Sequence, residues 1–268
     1  MLKDQMDDLH SWFAGYVRGF YSSDPGIQAA VTFKEHHTGR VCGNIVRIAG
    51  SLDLPDEDIL LAEAVALLHD VGRFRQYHVY RTFNDRRSEN HALLGVKEIE
   101  KSGVLNSLAS GEKDIITTAV KYHGSFNLPE DLKSRTLLFT RLIRDADKLD
   151  ILDTFTSYYC RENRDPDPVI ESGLPDTPGC SPVLVENLLR GEGCNYGDVR
   201  NFNDRKLLLL SWVYDINFSH TLSEIIQNGY IKTLIDLLPG TEDIRAVSMR
   251  LHDYASRRLA GQGEKNTV

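Results

Sequence analysis

The chain has no run of about five basic residues, no CxxC pair, no apolar stretch approaching the roughly eighteen residues of a membrane span, and no sustained apolar/polar alternation. Each absence removes a class of function. With a formal charge of -8 at pH 7 and a pI near 5.6, a chain lacking basic runs is not expected to bind nucleic acid or a membrane surface. An anionic substrate would need local positive charge. The four cysteines, at positions 42, 160, 180 and 194, have neither zinc-finger nor disulfide-scaffold spacing, so reduced thiols in a cytosolic protein are the default. The opening MLKDQMDDLH carries acidic residues where a signal peptide would be basic and then apolar, which again leads to a soluble cytoplasmic protein. The lack of strand alternation and of internal repeats leaves helices to bury a composition that is 41% hydrophobic.

What is present is helical spacing. Residues 55 to 75, PDEDILLAEAVALLHDVGRFR, place Leu60, Leu61, Ala64, Leu67, Leu68 and Val71 on one stripe and Ile59, Ala62 and Ala66 on a second. A helix apolar on both sides belongs inside a domain. His69 and Asp70 fall on the small-residue side, where a buried carboxylate requires a cation or a donor network. Before this stretch, helices are predicted over about 4 to 21 and 27 to 50, the second aiming His37 inward and His36 outward. After it, 73 to 88 reads as a polar, arginine-rich loop, followed by a helix capped at Ser88 that carries His91 and ends at Gly103. A helix over about 112 to 123 puts His123 on its apolar stripe, and another over about 133 to 159 contains RDADKLDILD. Periodicity there does not choose among Asp145, Asp147 and Asp150.

Residues 161 to 202 are rich in proline and glycine and read as a packed irregular segment, or a pocket wall, with a short helix near 182 to 190. Helices return at about 203 to 218, at 221 to 238 behind the capping box starting at Thr221, and at 241 to 260, leaving a polar, frayed tail. No linker separates the helices from 27 to 159. The organisation expected is therefore one all-α domain over 1 to 268, with a helical core at about 27 to 160 and a helical C-terminal extension.

His37, His69, Asp70, His91, His123 and an aspartate near 147 come from five successive helices. Such ligands suit a divalent first-row metal, and six of them suit two ions bridged by one carboxylate better than a single ion. With His37 in HTGRV, His69-Asp70 in LLHDVGR and Asp147 in ADKL, the chain resembles the HD superfamily of metal-dependent phosphohydrolases over roughly residues 27 to 160. The resemblance implies an all-α helical-bundle core whose His37, His69, Asp70 and Asp147 bind metal. It also selects Asp147 over Asp145. His91 in HALLG and His123 in KYHG resemble the added ligands of binuclear members, including the HD-GYP cyclic-dinucleotide phosphodiesterases. The GYP signature itself is absent, since GSFNLP follows His123 and Tyr122 stands where those enzymes pair two histidines, so cyclic-di-GMP is not the expected substrate.

What the resemblance implies is a metal-dependent phosphohydrolase acting on a nucleotide or other small phosphate ester. Asp70 would bridge two divalent ions, with Arg73 and Lys148 stabilising charge on the phosphate. The alternative is a di-iron oxygenase, because the same ligand set serves O2-dependent members of the superfamily.

Overall fold

In the computed structural model, which describes residues 1–161 and 166–263, every regular element is helical, as expected. The predicted frayed tail lies largely outside the described residues. The chain divides into two compact units, Met1–Asp150 and Ile151–Val268, where the sequence alone reads as one domain with an extension. That division falls inside a continuous helix, Ser134–Tyr159, so no linker composition marks it.

In the first unit, α1 (Lys3–Arg18) and α2 (Pro25–Gly50) precede the central α3 (Asp56–Leu68). Asp24 starts α2 by accepting hydrogen bonds from the backbone N–H groups of Gly26 and Ile27 at 2.9 and 3.0 Å, with Pro25 in the first turn. Leu61, Ala62, Ala64, Val65, Ala66, Leu67 and Leu68 of α3 are all buried, so the helix is enclosed on both sides as its pattern requires. It packs along α2 and also contacts α1 and α6 (Ser110–Tyr122). The last segment of the unit is the part of α7 (Ser134–Tyr159) that ends at Asp150.

The single helix expected through residues 55 to 75 is broken. α3 stops at Leu68, His69 and Asp70 form a turn, and α4 runs over Val71–Tyr80. Asp70, at φ -111° and ψ 15°, stands at the start of α4 without its carboxylate capping that helix. Gly72 shows what the break accomplishes: a Cβ there would lie 2.1 Å from the carbonyl oxygen of His91 and 2.5 Å from the nitrogen of Gly95. The α4 backbone thus lies directly against α5 (His91–Ser102). Apolar residues on every side of the stretch hid this change of direction.

The loop expected over 73 to 88 is accordingly helical to Tyr80, closing on Arg81 at φ +54°, and beyond it is irregular except for a short 3-10 helix, Asp85–Arg87. Asn90, not Ser88, caps α5, accepting from the N–H of Leu93 at 2.9 Å. Ser88 is engaged otherwise, donating to the carbonyl of Asn84 and accepting from Gln76 Nε2.

In the second unit, short α8 (Pro168–Glu171) and α9 (Pro182–Arg190) punctuate the irregular segment, and α9 matches its expected position. Asp204, buried in α10 (Phe202–Ser211), accepts from Ser181 N and Oγ at 2.6 Å each and from Arg200 N at 2.9 Å, which pins that segment to the helix. The helix expected over 221 to 238 splits into α11 (Ser219–Gln227) and α12 (Tyr230–Asp236), because Gly229 takes a left-handed conformation at φ +70°. The Thr221 capping box does not form, since α11 begins at Ser219 and Thr221 is buried within it. The last helix, α13 (Glu242–Gly263), starts as expected behind Thr241, whose hydroxyl accepts from Ile244 N at 3.3 Å.

Candidate metal centre

Five elements of the first unit deliver the six expected ligands to one place. α2 supplies His37, the α3–α4 turn His69 and Asp70, the first residue of α5 His91, the end of α6 His123, and α7 Asp147. Asp147 is the member of the ambiguous aspartate trio that joins the cluster. Asp150 lies behind it, accepting from His37 Nδ1 at 2.7 Å and pairing with Arg40 Nε at 2.5 Å. His78, on α4, packs against Phe20 at 5.7 Å between rings.

All four imidazoles are oriented in the same sense. Nδ1 of His69 donates to the carbonyl of Ala66, Nδ1 of His123 to that of Val120, and Nδ1 of His91 to the Asp85 carboxylate, each at 2.7 Å. Carbonyl and carboxylate oxygens only accept, so each Nδ1 carries the hydrogen and each neutral ring turns its Nε2 lone pair inward. The Nε2 atoms of His37 and His69 then face each other at 3.3 Å, and those of His91 and His123 at 3.0 Å. Lone pairs so opposed repel unless a cation or a proton is shared between them.

The carboxylate of Asp70 divides between the two histidine pairs. Its Oδ2 lies 3.5 Å from His37 Nε2 and 3.6 Å from His69 Nε2, while Oδ1 lies 3.6 Å from His91 Nε2 and 3.7 Å from His123 Nε2. Asp147 Oδ1 stands 3.2 Å from His37 Nε2 and 3.8 Å from His69 Nε2. Donors bonded to a common ion at roughly 2.1 Å are themselves roughly 3 to 3.5 Å apart, close to these separations. Asp70 Oδ1 is also buried without a hydrogen-bond partner, which is costly for a carboxylate oxygen unless a cation sits on it. The residues present therefore fit a divalent metal.

Charge follows from this enclosure. Burial, reinforced by the Arg73 cation, holds the His91 pKa down at about 4, and burial with neighbouring His69 holds His123 at about 4. Burial also keeps His69 below its ordinary value. For His37, burial and Lys34 oppose protonation, but Asp147 and Asp150 outweigh them and its pKa is raised. Burial would raise Asp70, yet Lys34, His69 and Arg73 hold it well below the usual carboxylate range, and His37 does the same for Asp147.

These shifts make the metal-free protein acid-sensitive. As pH falls from the ordinary imidazole value of 6.5 towards 4, the unfolded chain takes up protons that buried His91 and His123 refuse, so stability falls with pH across that window and levels below it. His37 acts in the opposite sense, but alone. Each depressed histidine is worth up to about 3 kcal/mol, so thermal melts in chelator should show the midpoint about 10 °C lower at pH 5 than at pH 7. An unchanged or higher midpoint at pH 5 would contradict this account.

Two orienting carboxylates, Asp85 and Asp150, and one cation, Lys34, do not emerge as site residues from the sequence. Asp85 opens a three-residue 3-10 helix too short to leave a periodicity in the sequence. Asp150 was legible only as one of three candidates. Lys34 precedes His37 by three residues and so shares its face, a signal that was available. Arg73, expected at the start of the loop over 73 to 88, lies instead in the first turn of α4. Its Nη1 donates to Gln76 Oε1, Phe83 O and Asp85 Oδ1 at 2.9, 2.6 and 3.0 Å, and its Nε stands 3.5 Å from Asp70 Oδ1. Lys148 is buried, about 100° further round α7 than Asp147. Arg144 donates to the carbonyls of His123 and Ser125, securing the end of α6.

Residues 35–152 match the family model described as HD domain. This chain carries an HD domain. The matched span holds all six clustered candidate ligands, and the HD domain implies a superfamily of metal-dependent hydrolases whose members bind divalent metals. No curated protein and no solved structure matches the chain. Among the described residues no helix is long and apolar enough to cross a membrane.

Proposed function

We propose that this HD-domain protein is a phosphohydrolase that uses two divalent ions to cleave a small phosphate ester, with a nucleotide as the favoured substrate class. The observation that carries the reading is the division of Asp70, with Oδ2 towards His37 and His69 and Oδ1 towards His91 and His123. A carboxylate so placed suits a bridge between two ions, with Asp147 completing the first group. Two divalent ions held by two carboxylates and neutral imidazoles leave a positive surplus, which favours an anionic substrate.

Bound ions would acidify a water and polarise a phosphoryl oxygen. The chain's own contribution is orientation. Asp150, Ala66, Asp85 and Val120 each fix one imidazole through its Nδ1 hydrogen, so the ligands need no reorganisation on loading. Arg73 ties the Phe83–Asp85 loop to α4 while adding positive charge beside Asp70, and Lys148 remains the second cation assigned to the phosphate. In the reaction the water oxygen bonds to phosphorus, the ester P–O bond breaks, and the leaving alkoxide takes up the proton, giving an alcohol and inorganic phosphate.

Protein purified without added metal should contain about two ions per chain by elemental analysis, because six ligands exceed the needs of one. It should hydrolyse members of a nucleoside-monophosphate and sugar-phosphate panel under anaerobic conditions with Mn²⁺ or Mg²⁺. Iron together with an O2 requirement, and no phosphate release, would assign the oxygenase alternative instead.

A further inference from the structure

We propose that Lys34 is a substrate-binding residue whose ammonium group receives a non-bridging oxygen of the phosphate ester at the mouth of the ligand cluster. The inference rests on the phosphohydrolase reading and names a contact that reading leaves open. Lys34 lies on α2 one turn before His37, and its Nζ donates to Asp70 Oδ2 at 2.7 Å while standing 5.6 Å from the centre of the Phe83 ring. An ammonium has three donor hydrogens. Among the described residues only the Asp70 oxygen accepts from it, so two donors remain for a ligand.

Exposure locates the mouth. The side chains of His69, His37 and Asp70 are 0, 3 and 4% exposed, whereas those of Lys34 and Asp147 reach 13 and 17%. Lys34 thus stands at a more open edge of the cluster than His37, His69 and Asp70, within reach of a ligand that approaches Asp70. Arg73 is comparably exposed, but its Nη1 is held by Gln76, Phe83 and Asp85, which makes it a strut for the loop. Lys34 has no such ties.

With ions bound, its placement is also costly unless a further anion joins it. An ammonium paired with the carboxylate that would serve divalent ions is repelled by those ions, and salt screens such repulsion only weakly at this short range in a partly buried site. A phosphate dianion beside Lys34 reverses the sign of that interaction. The charge-assisted hydrogen bond it forms is of the stronger class.

The test uses full-length protein loaded with Mn²⁺, in wild-type form and as Lys34→Gln and Lys34→Arg. Metal content is measured by elemental analysis, inorganic phosphate binding by calorimetry, and steady-state constants with the best phosphate ester of the panel. Lys34→Gln should keep its metal, bind inorganic phosphate about tenfold or more weakly, and raise KM by a similar factor with a smaller change in kcat. Lys34→Arg should recover most of the affinity. Unchanged phosphate binding in Lys34→Gln with metal retained overturns the proposal and leaves the hydrolase reading standing, as does altered metal content, which would make Lys34 a support of the ligands. If loaded wild-type protein neither binds phosphate nor cleaves any ester of the panel, the hydrolase reading falls and the proposal falls with it.

Discussion

Asp70→Ala should lose bound metal and, with it, at least about a thousandfold in kcat/KM, equivalent to about 4 kcal/mol of transition-state stabilisation. The reason is geometric. Asp70 is the group whose two oxygens address both histidine pairs, so its removal takes a donor from each. His91→Ala, by contrast, removes a donor from one pair only and should leave the His37, His69 and Asp147 group loaded. Elemental analysis of the two variants beside wild type reads this directly. An Asp70→Ala protein with full metal content and full turnover would refute the ligand assignment as a whole.

Gly72→Ala should lower the melting temperature by about 10 °C or prevent folding, and the protein that does fold should hold less metal. An added Cβ would lie 2.1 Å from the His91 carbonyl and 2.5 Å from the Gly95 nitrogen, both main-chain atoms that cannot rotate aside. Overpacking of side chains typically costs about 1 to 3 kcal/mol, and a clash with two backbone atoms belongs at or above the top of that range. Relief requires α4 to move from α5, which separates Asp70 from His91. Thermal melts of the metal-free variant isolate the packing effect. A midpoint within about 2 °C of wild type would show that the helices give way without cost.

The helix inventory of the first unit was legible because amphipathic spacing states which face is buried. Ala30, His37, Val41 and Ile48 share the inward face of α2, and Ile116, Ala119, Val120 and His123 that of α6, as their periodicity requires. Where every face is apolar the same reasoning is silent. It therefore missed the break at His69–Asp70, and it missed the split at Gly229, where a permissive residue inside a helical pattern is an ordinary occurrence. Likewise the end of the first unit at Asp150 lies within one unbroken helix, and helical spacing holds no sign of it.

By itself the sequence determined the all-α class, the inward histidines of α2 and α6, and, through the family resemblance, the candidate ligands His37, His69, Asp70 and Asp147 with His91 and His123 added from binuclear members, since all of these rest on residue identity and local pattern. Only the tertiary structure decided which atoms meet. That Asp70 faces two histidine pairs, that Asp85 and Asp150 hold imidazoles rather than occupy the centre, that Arg73 braces a loop, and that Lys34 pairs with Asp70 all depend on helices distant in sequence coming together. A one-dimensional pattern records the direction in which a side chain leaves its own helix. It carries no information on what another helix brings to meet it.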